Sequence, residues 1–595
     1  MEKDNRNKIT PDMTVREVNI RYPQAMAVFE KHGIAGCGGK YGPPETLNFF
    51  AQAHKVDCRQ LIEDLEGAIR GGGSAAGPMT TGPREASDLY RGFVRAAIIS
   101  SLTAGSAWGI LVLAMNAVRG GFTLKTLALA QTHANVQVYG WVGLFIMGFA
   151  YHAVPRFKKA PLRLAGTVHL ALTLVLLSLM MRFVSQPLLQ KGPLFSGLLV
   201  SSGILLLIGY SAFLLSMVLT VWKAGTESEP YEKFILASLI WGFLSVVLNL
   251  TMTLEMAGRN TALLAPPWDD MLRHIQFHGF ISLMIIGVSY RLLPEFLGVV
   301  EADSKSARRV FVLFHAGIFL GLWGIESGNP TLIALASGIE ILGAILVIDS
   351  LNLFRTGSQA VEIVWESPYF VWYIQAAYLW LVVALAMGAG GAIFEFVARL
   401  PQPHAYIDAA RHALAMGFVA TIMLGIAQRV LPLWEGKRLY SGPWMAWVFI
   451  LVTLGNAVRI VSQVMGEVIG DSGPFLAVAG GSLEFASIAL FSANIWKTLG
   501  MAEEIDVEIR EKMTAAPEPS ASGPAPIFGP KTRVFEILQE YPGALGVLKE
   551  LGIEGLRDGS EGTGVPKFLT LERICKTHNV PVEKAMAALQ EFVSR

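Results

Sequence analysis

Four histidines stand near the start of three apolar stretches of this sequence, and those stretches repeat one pattern. His133 opens HANVQVYGWVGLFIMGFAYHAVP, His274 and His278 stand in HIQFHGFISLMIIGVSYRLLP, and His412 opens HALAMGFVATIMLGIAQRVLP. Aligned on their closing prolines, Pro155, Pro294 and Pro432, the segments share Gly148, Gly287 and Gly425, and again Gly140, Gly279 and Gly417. His274 and His412 then coincide, and His133 sits two residues earlier in its own segment. His278 follows His274 by one helical turn and shares its face. Ionisable groups inside apolar spans are rare and usually functional. Neutral imidazole is a common ligand of haem iron and copper. The pattern predicts metal ligation by His133, His274, His278 and His412; hydrogen bonding between helices is the other reading, and the residues alone leave both open. His315 and His169, each alone on its span, read as structural, and His152 as an interfacial residue.

Two carboxylates and a thiol join these candidates. Glu340 and Glu484 occupy matching places in SGIEILGAIL and GSLEFASIAL. A buried carboxyl group there is protonated or paired, which suits a proton path or a helix–helix hydrogen bond. Cys37 stands in the glycine-rich GIAGCGG, where a thiol is redox-active, binds a ligand or is simply half-buried.

The elements that must position these groups are membrane helices. Of 595 residues, 52% are hydrophobic and only 16% charged. The net charge of +1 gives no case for a nucleic-acid partner. Apolar runs of the roughly 20 residues needed to cross a bilayer fall near 92–117, 128–154, 162–183, 194–222, 233–256, 272–293, 308–325, 330–354, 370–396, 410–431, 443–463 and 473–497. In lipid every backbone group must be satisfied within the segment, so the runs are helices. Loops after even-numbered spans carry Arg156, Lys158, Lys159 and Arg163, then Lys305, Arg308 and Arg309, then Lys437 and Arg438; loops after odd spans are poorer in cations. The positive-inside rule then predicts both termini in the cytoplasm. The charged start, MEKDNRNK, predicts no cleavable signal peptide, and the bacterial inner membrane is the expected location.

The repeat has a period of four spans. RFVSQ at 182–186 and RIVSQ at 459–463 match in spans three and eleven, as the two glutamate stretches do in spans eight and twelve. The expected fold is all-α: a polytopic bundle of about twelve transmembrane helices in three four-helix repeats, with two small helical domains at its ends.

This arrangement resembles the catalytic subunit of haem–copper oxidases, and more closely the NnrS-type haem- and copper-containing membrane proteins. The second likeness rests on His133 seven residues before Gly140 and on HALAMGFVATIMLGIAQRV at 412–430. The oxidase resemblance implies that His133 and His412 are axial ligands of haem b. It implies that Arg182 and Arg459 lie at a depth suited to haem propionates, which arginine binds bidentately, though snorkelling to the interface also places an arginine there. It leaves His274 and His278 to hold a second haem or a copper. The departures are specific. Span seven has only His315, and Leu414 stands where a second histidine of span ten would be. The WHxHEM and GHTGR strings of the NnrS type are incomplete or absent. A full oxygen-reducing centre therefore lacks ligands.

Residues 1–70 and 531–595 read as two copies of one small domain, joined to the membrane part (90–500) by linkers at 71–89 and 501–530. VREVNIRYPQAMAVFEKHGI aligns without gaps to VFEILQEYPGALGVLKELGI, and His54 pairs with His578. The first copy resembles the small N-terminal domain of ScdA-type iron–sulfur repair proteins, where a cysteine follows Gly-Ile; the second copy has lost that thiol.

Three functions stay open at this point. One is a haem-dependent oxidoreductase acting on nitric oxide or a related small molecule, with a quinol or a cytochrome as electron donor. No CxxCH occurs, so the chain carries no covalent c-type haem. Another is a non-enzymatic haem or copper carrier or sensor. A transporter is disfavoured, because transporter repeats are usually inverted halves with broken helices.

Overall fold

The computed structural model describes residues 9–32, 42–70, 89–225, 228–297, 302–354, 369–501, 528–553 and 570–594, apart from single or paired positions within 42–70, 528–553 and 570–594. The chain divides into two compact units, Met1–Ile505 and Asp506–Arg595. Among the described residues, twelve helices are long and apolar enough to cross a membrane: α1 (Leu89–Arg119), α2 (Leu124–Phe157), α3 (Ala165–Lys191), α4 (Pro193–Ala224), α5 (Pro230–Arg259), α6 (Trp268–Leu297), α7 (Ser304–Glu326), α8 (Pro330–Ser350), α9 (Phe370–Ala398), α10 (His404–Glu435), α11 (Gly442–Val464) and α12 (Gly473–Gly500). Their ends carry local signals. Thr123 and Thr126 form a reciprocal cap on α2, and the side chains of Asp303 and Asn329 accept from the first free N–H groups of α7 and α8.

Three of the twelve are unlike the rest. The most apolar windows of α2, α6 and α10 are 94%, 83% and 94% buried, against 28–50% for the other nine. The outer helices instead turn side chains such as Val118, Trp222, Phe319 and Trp447 outward. Successive helices pack as neighbours and α12 packs back on α1, so the nine enclose the three. The histidine-bearing helices of the sequence repeat are thus the innermost ones.

The shared glycines explain how the three are held. A Cβ at Gly148 would lie 2.6 Å from Phe93 Cβ on α1; at Gly287, 2.9 Å from Phe234 Cβ on α5; at Gly425, 2.7 Å from Tyr373 Cβ on α9. Eight residues earlier in each helix, Gly140 meets Ser100 and Leu179, Gly279 meets Trp241, and Gly417 meets Trp380. Each inner helix is therefore pressed onto the first helix of its own repeat through two glycines. Lipid supplies no hydrophobic force between helices, so close backbone approach of this kind is what holds them. Each inner helix also contains a widened i→i+5 stretch in the same register before its proline: Val136–Gly143, Ile275–Ser282 and Ala413–Ala420. Such turns recur at functional sites. They follow directly on His274 and His412, and begin three residues after His133.

The small domains are built alike, each around its own core. In the first, helices Val15–Arg21, Met26–Lys31, Leu47–Ala53 and Cys58–Arg70 bury Val15, Val18, Ala25, Phe29, Leu47, Phe50, Leu61 and Leu65. In the second, helices Ala544–Glu550, Leu571–Thr577 and Val582–Ser594 are part of a domain that buries Val534, Ile537, Ala544, Leu548, Leu571, Ile574, Ala585 and Leu589. These are the aligned positions, and the bridges Thr14–Thr46 and Arg533–Thr570 pin the two halves of each domain in corresponding places. The first domain touches the bundle through Arg16 Nη2, which donates to Gly436 O at 2.7 Å, and through His54 O, which accepts from Lys159 Nζ at 2.8 Å.

Candidate metal centres

His133 and His412 come from different repeats and line one cavity. His133 Nδ1 lies 2.9 Å from Gly105 O, at the end of a widened turn in α1 (Ser101–Gly105). His412 Nδ1 lies 2.9 Å from Asp408 O and 3.3 Å from Asp408 Oδ1. Carbonyl and carboxylate oxygens only accept, so each Nδ1 carries a proton, and Nε2 is the nitrogen that a metal would take. This is the way proteins orient a metal-ligating imidazole. Room for the His133 ring exists because residue 109 is glycine: a Cβ there would lie 2.6 Å from His133 Cε1.

Charged side chains surround this pair. Arg459 Nη2 is 3.0 Å from Asp408 Oδ2, and its Nη1 is 3.3 Å from Glu484 Oε2. Gln463 Nε2 donates to Asp408 Oδ2 at 2.5 Å. Arg459 and Glu484 both line the cavity. The donor chemistry fits an iron between two imidazoles. The space, about 30 Å³, is that of one water, so a porphyrin enters only where the helices that line the cavity move apart.

The second cluster is tighter. One ligand atom from each of His274, His278 and Glu340 lies within 4.8 Å of the others. The two rings stack at 4.3 Å, and Glu340 Oε2 is 2.6 Å from His278 Nδ1. Here His274 uses Nε2, 3.2 Å from Ile318 O, which leaves Nδ1 as its free nitrogen. Gly321 on α7 makes room for that ring, since a Cβ would lie 2.6 Å from its Cε1. Glu340 Oε1 is buried without a hydrogen-bond partner among the described residues. Two imidazoles and a carboxylate with an orphaned oxygen are a donor set for copper, zinc or iron.

Arg182 stands apart from both. It is buried and donates to Asn249 Oδ1 at 2.9 Å and Gln186 Oε1 at 3.0 Å. Asn135 also reaches Asn249, at 3.3 Å. This third cluster, between α2, α3 and α5, is one of amides and hydroxyls around an arginine, and the structure does not bring Arg182 to the His133–His412 cavity. His315 bonds the Phe311 carbonyl of its own helix at 2.8 Å. Cys37 lies outside the described residues. Cys575 is buried, and burial followed by Glu583 pushes its thiol pKa up.

Sequence reasoning missed Asp408, Gly109 and Gly321. Asp408 stands four residues before His412, an acid–imidazole spacing on one helix face that could have been read. The two glycines have no such signal, because their role exists only against another helix.

The bundle and its inner triplet define a known architecture. A chain of a heme-copper terminal oxidase dimer solved by cryo-EM is similar in fold, with a TM-score of 0.53 and 14% sequence identity over 85% of this chain and 99% of that one. The family model described as NnrS protein matches residues 90–502, well over half of the chain, and the protein belongs to the NnrS family. Residues 529–585 match a domain of unknown function (DUF1858). No curated protein matches.

Proposed function

We propose that this is a multi-pass protein of the bacterial inner membrane, with both small domains in the cytoplasm. It binds haem b between His133 and His412 and a copper ion at His274, His278 and Glu340, and it takes part in the redox metabolism of nitric oxide or a related small molecule. The observation that carries the reading is the pair of imidazoles on equivalent inner helices, each with Nδ1 tied to a protein oxygen and Nε2 left for one shared cavity. A haem bound there supplies one-electron chemistry. Gly105 O and Asp408 hold the two Nδ1 protons. Arg459, fixed by Asp408 and Glu484, offers a guanidinium to a propionate. The surrounding nine helices keep lipid away. A quinol or a cytochrome is the electron donor this chemistry calls for.

The test is a spectrum. The purified protein, oxidised and then reduced, is expected to show a Soret band that His133→Ala and His412→Ala each remove. His278→Ala should leave the band and lower the copper content. Absence of both a Soret band and bound metal would sink the proposal. Nitric oxide turnover with a quinol marks an enzyme; a band that nitric oxide shifts without turnover marks a carrier or sensor.

A further inference from the structure

At the end of the bundle opposite His133, His274, His278 and His412, the inner helices leave a cavity of about 530 Å³ that the first small domain covers. That volume is in the range of sites for small organic ligands. Its floor is aromatic, with Phe149 from α2, Phe296 from α6 and Trp434 from α10. Phe49 and His54 of the small domain face it from the other side.

The wall is charged, and its charges are unevenly satisfied. Lys158 is bound to Glu232 at 2.6 Å, and Arg291 is paired with Glu295. Glu45 and Glu229 have partners of their own. Arg156 and Lys159 differ. Arg156 Nη1 donates to His152 O at 2.5 Å and Lys159 Nζ to His54 O at 2.8 Å, so each bonds a neutral carbonyl. Arg156 Nε is buried with no hydrogen-bond partner among the described residues. The positive field is felt nearby: burial, then the charges of Lys159 and Arg291, pull the His54 pKa down to about 4.

An aromatic floor under two cations that have no carboxylate partner among the described residues is complementary to a flat ring bearing an acid group. Lipid is not the source, because α2, α6 and α10 are enclosed by the outer helices. We propose that this cavity binds a planar aromatic organic phosphate or carboxylate from the aqueous phase, with its ring on Phe149, Phe296 and Trp434 and its acid group on Arg156 and Lys159. The site is independent of the metal centres, and its occupant is clamped between the small domain and the bundle.

The test uses the full chain in nanodiscs of phosphatidylcholine, a lipid without net charge. Flavin mononucleotide and adenosine triphosphate are titrated as planar phosphates, and riboflavin and inorganic phosphate as the two half-ligands. Flavin binding is read by fluorescence quenching and the others by calorimetry. At least one planar phosphate is expected to bind saturably at one site, with both half-ligands about tenfold weaker or more, a difference of 1.4 kcal/mol. Arg156→Gln and Lys159→Gln should each weaken it about tenfold, and Arg156→Lys should restore most of the loss. Lys159 is exposed, so Lys159→Gln tests the site even if Arg156→Gln fails to fold. Lack of binding by both planar phosphates would overturn the proposal, and so would binding that Lys159→Gln leaves unchanged.

Discussion

The interface between α2 and α10 and the one around α6 are made from the same repeated helix, yet they close in different ways. In the first, one imidazole comes from each of two repeats, and both are held through Nδ1. In the second, both imidazoles come from successive turns of one helix, His274 is held through Nε2, and a carboxylate from α8 completes the set. The third interface shows what the frame is without imidazole. The place of His274 and His412 is taken there by Asn135, and that of His278 by Tyr139, which bonds Ser245 at 3.1 Å. The glycines, the proline and the widened turn fix the depth at which a side chain is offered. Which donor stands at that depth, and what faces it, decides whether the interface can hold a metal.

The comparison is most directly broken at the two glycines that admit the histidine rings. Gly109→Val puts a side chain into the space of His133, and Gly321→Val does the same to His274. A clash of that size with a ring in a packed bundle cannot be absorbed without moving the ring. Gly109→Val is expected to remove nearly all haem and spare copper, and Gly321→Val to do the reverse. Haem content by pyridine haemochrome and copper by mass spectrometry would check it. Loss of both metals from either variant would show that the interfaces are one coupled centre.

The arginines give the next largest difference. Arg459 lies between Asp408 and Glu484, so Arg459→Gln leaves the buried Glu484 and the half-buried Asp408 without their cation. Breaking a buried pair in this way costs about 3–5 kcal/mol. Among the described residues, Arg182 bonds the amides of Asn249 and Gln186. Arg182→Gln also removes the burden of a buried charge, so its net cost should be no more than about 1 kcal/mol. Thermal unfolding in detergent would measure the gap. Equal destabilisation by the two substitutions would mean that the matching RFVSQ and RIVSQ strings do the same job, against their different surroundings.

Much of this frame can be read along one dimension. Apolar runs, their prolines and the recurrent glycines are local, and they give the twelve helices and the repeat. The histidines are equally visible, since imidazole stands out against leucine and valine. What faces them is not. Glu340 and Glu484 match in sequence, but one meets His278 and the other Arg459, because equivalent positions in different repeats meet different neighbours. Arg182 and Arg459 match in sequence too, yet one meets Asn249 and Gln186 and the other Asp408 and Glu484. The innermost position of α2, α6 and α10 follows from packing of nine other helices, which no window of sequence contains.

The groups that orient the imidazoles separate the two histidine interfaces more finely. Asp408→Asn keeps the backbone carbonyl that His412 Nδ1 also contacts but removes the charge beside it. Glu340→Gln removes a carboxylate that touches His278 directly and offers a free oxygen. Loss of an orienting partner typically weakens metal affinity about 10–100-fold. Asp408→Asn should sit at the low end for haem and leave copper unchanged. Glu340→Gln should sit at the high end for copper, since it removes a ligand as well as an orienting group. Titration of the apoprotein with each metal group would rank them, and the reverse order would make Glu340 a hydrogen-bond acceptor only.

The smallest effect belongs to the interface without histidine. Tyr139 and Ser245 are both buried, and their hydroxyls bond each other at 3.1 Å. Tyr139→Phe keeps the ring and its packing and removes one side of that bond. A hydrogen bond of this kind contributes about 1 kcal/mol, and the Ser245 hydroxyl keeps a second partner in Gly242 O at 2.7 Å. The variant should therefore unfold at a slightly lower temperature with its haem and copper contents unchanged. A change in either content would mean that the third interface is tied to the histidine-bearing ones through α2 and α6, and that the three contacts act as a single inner structure.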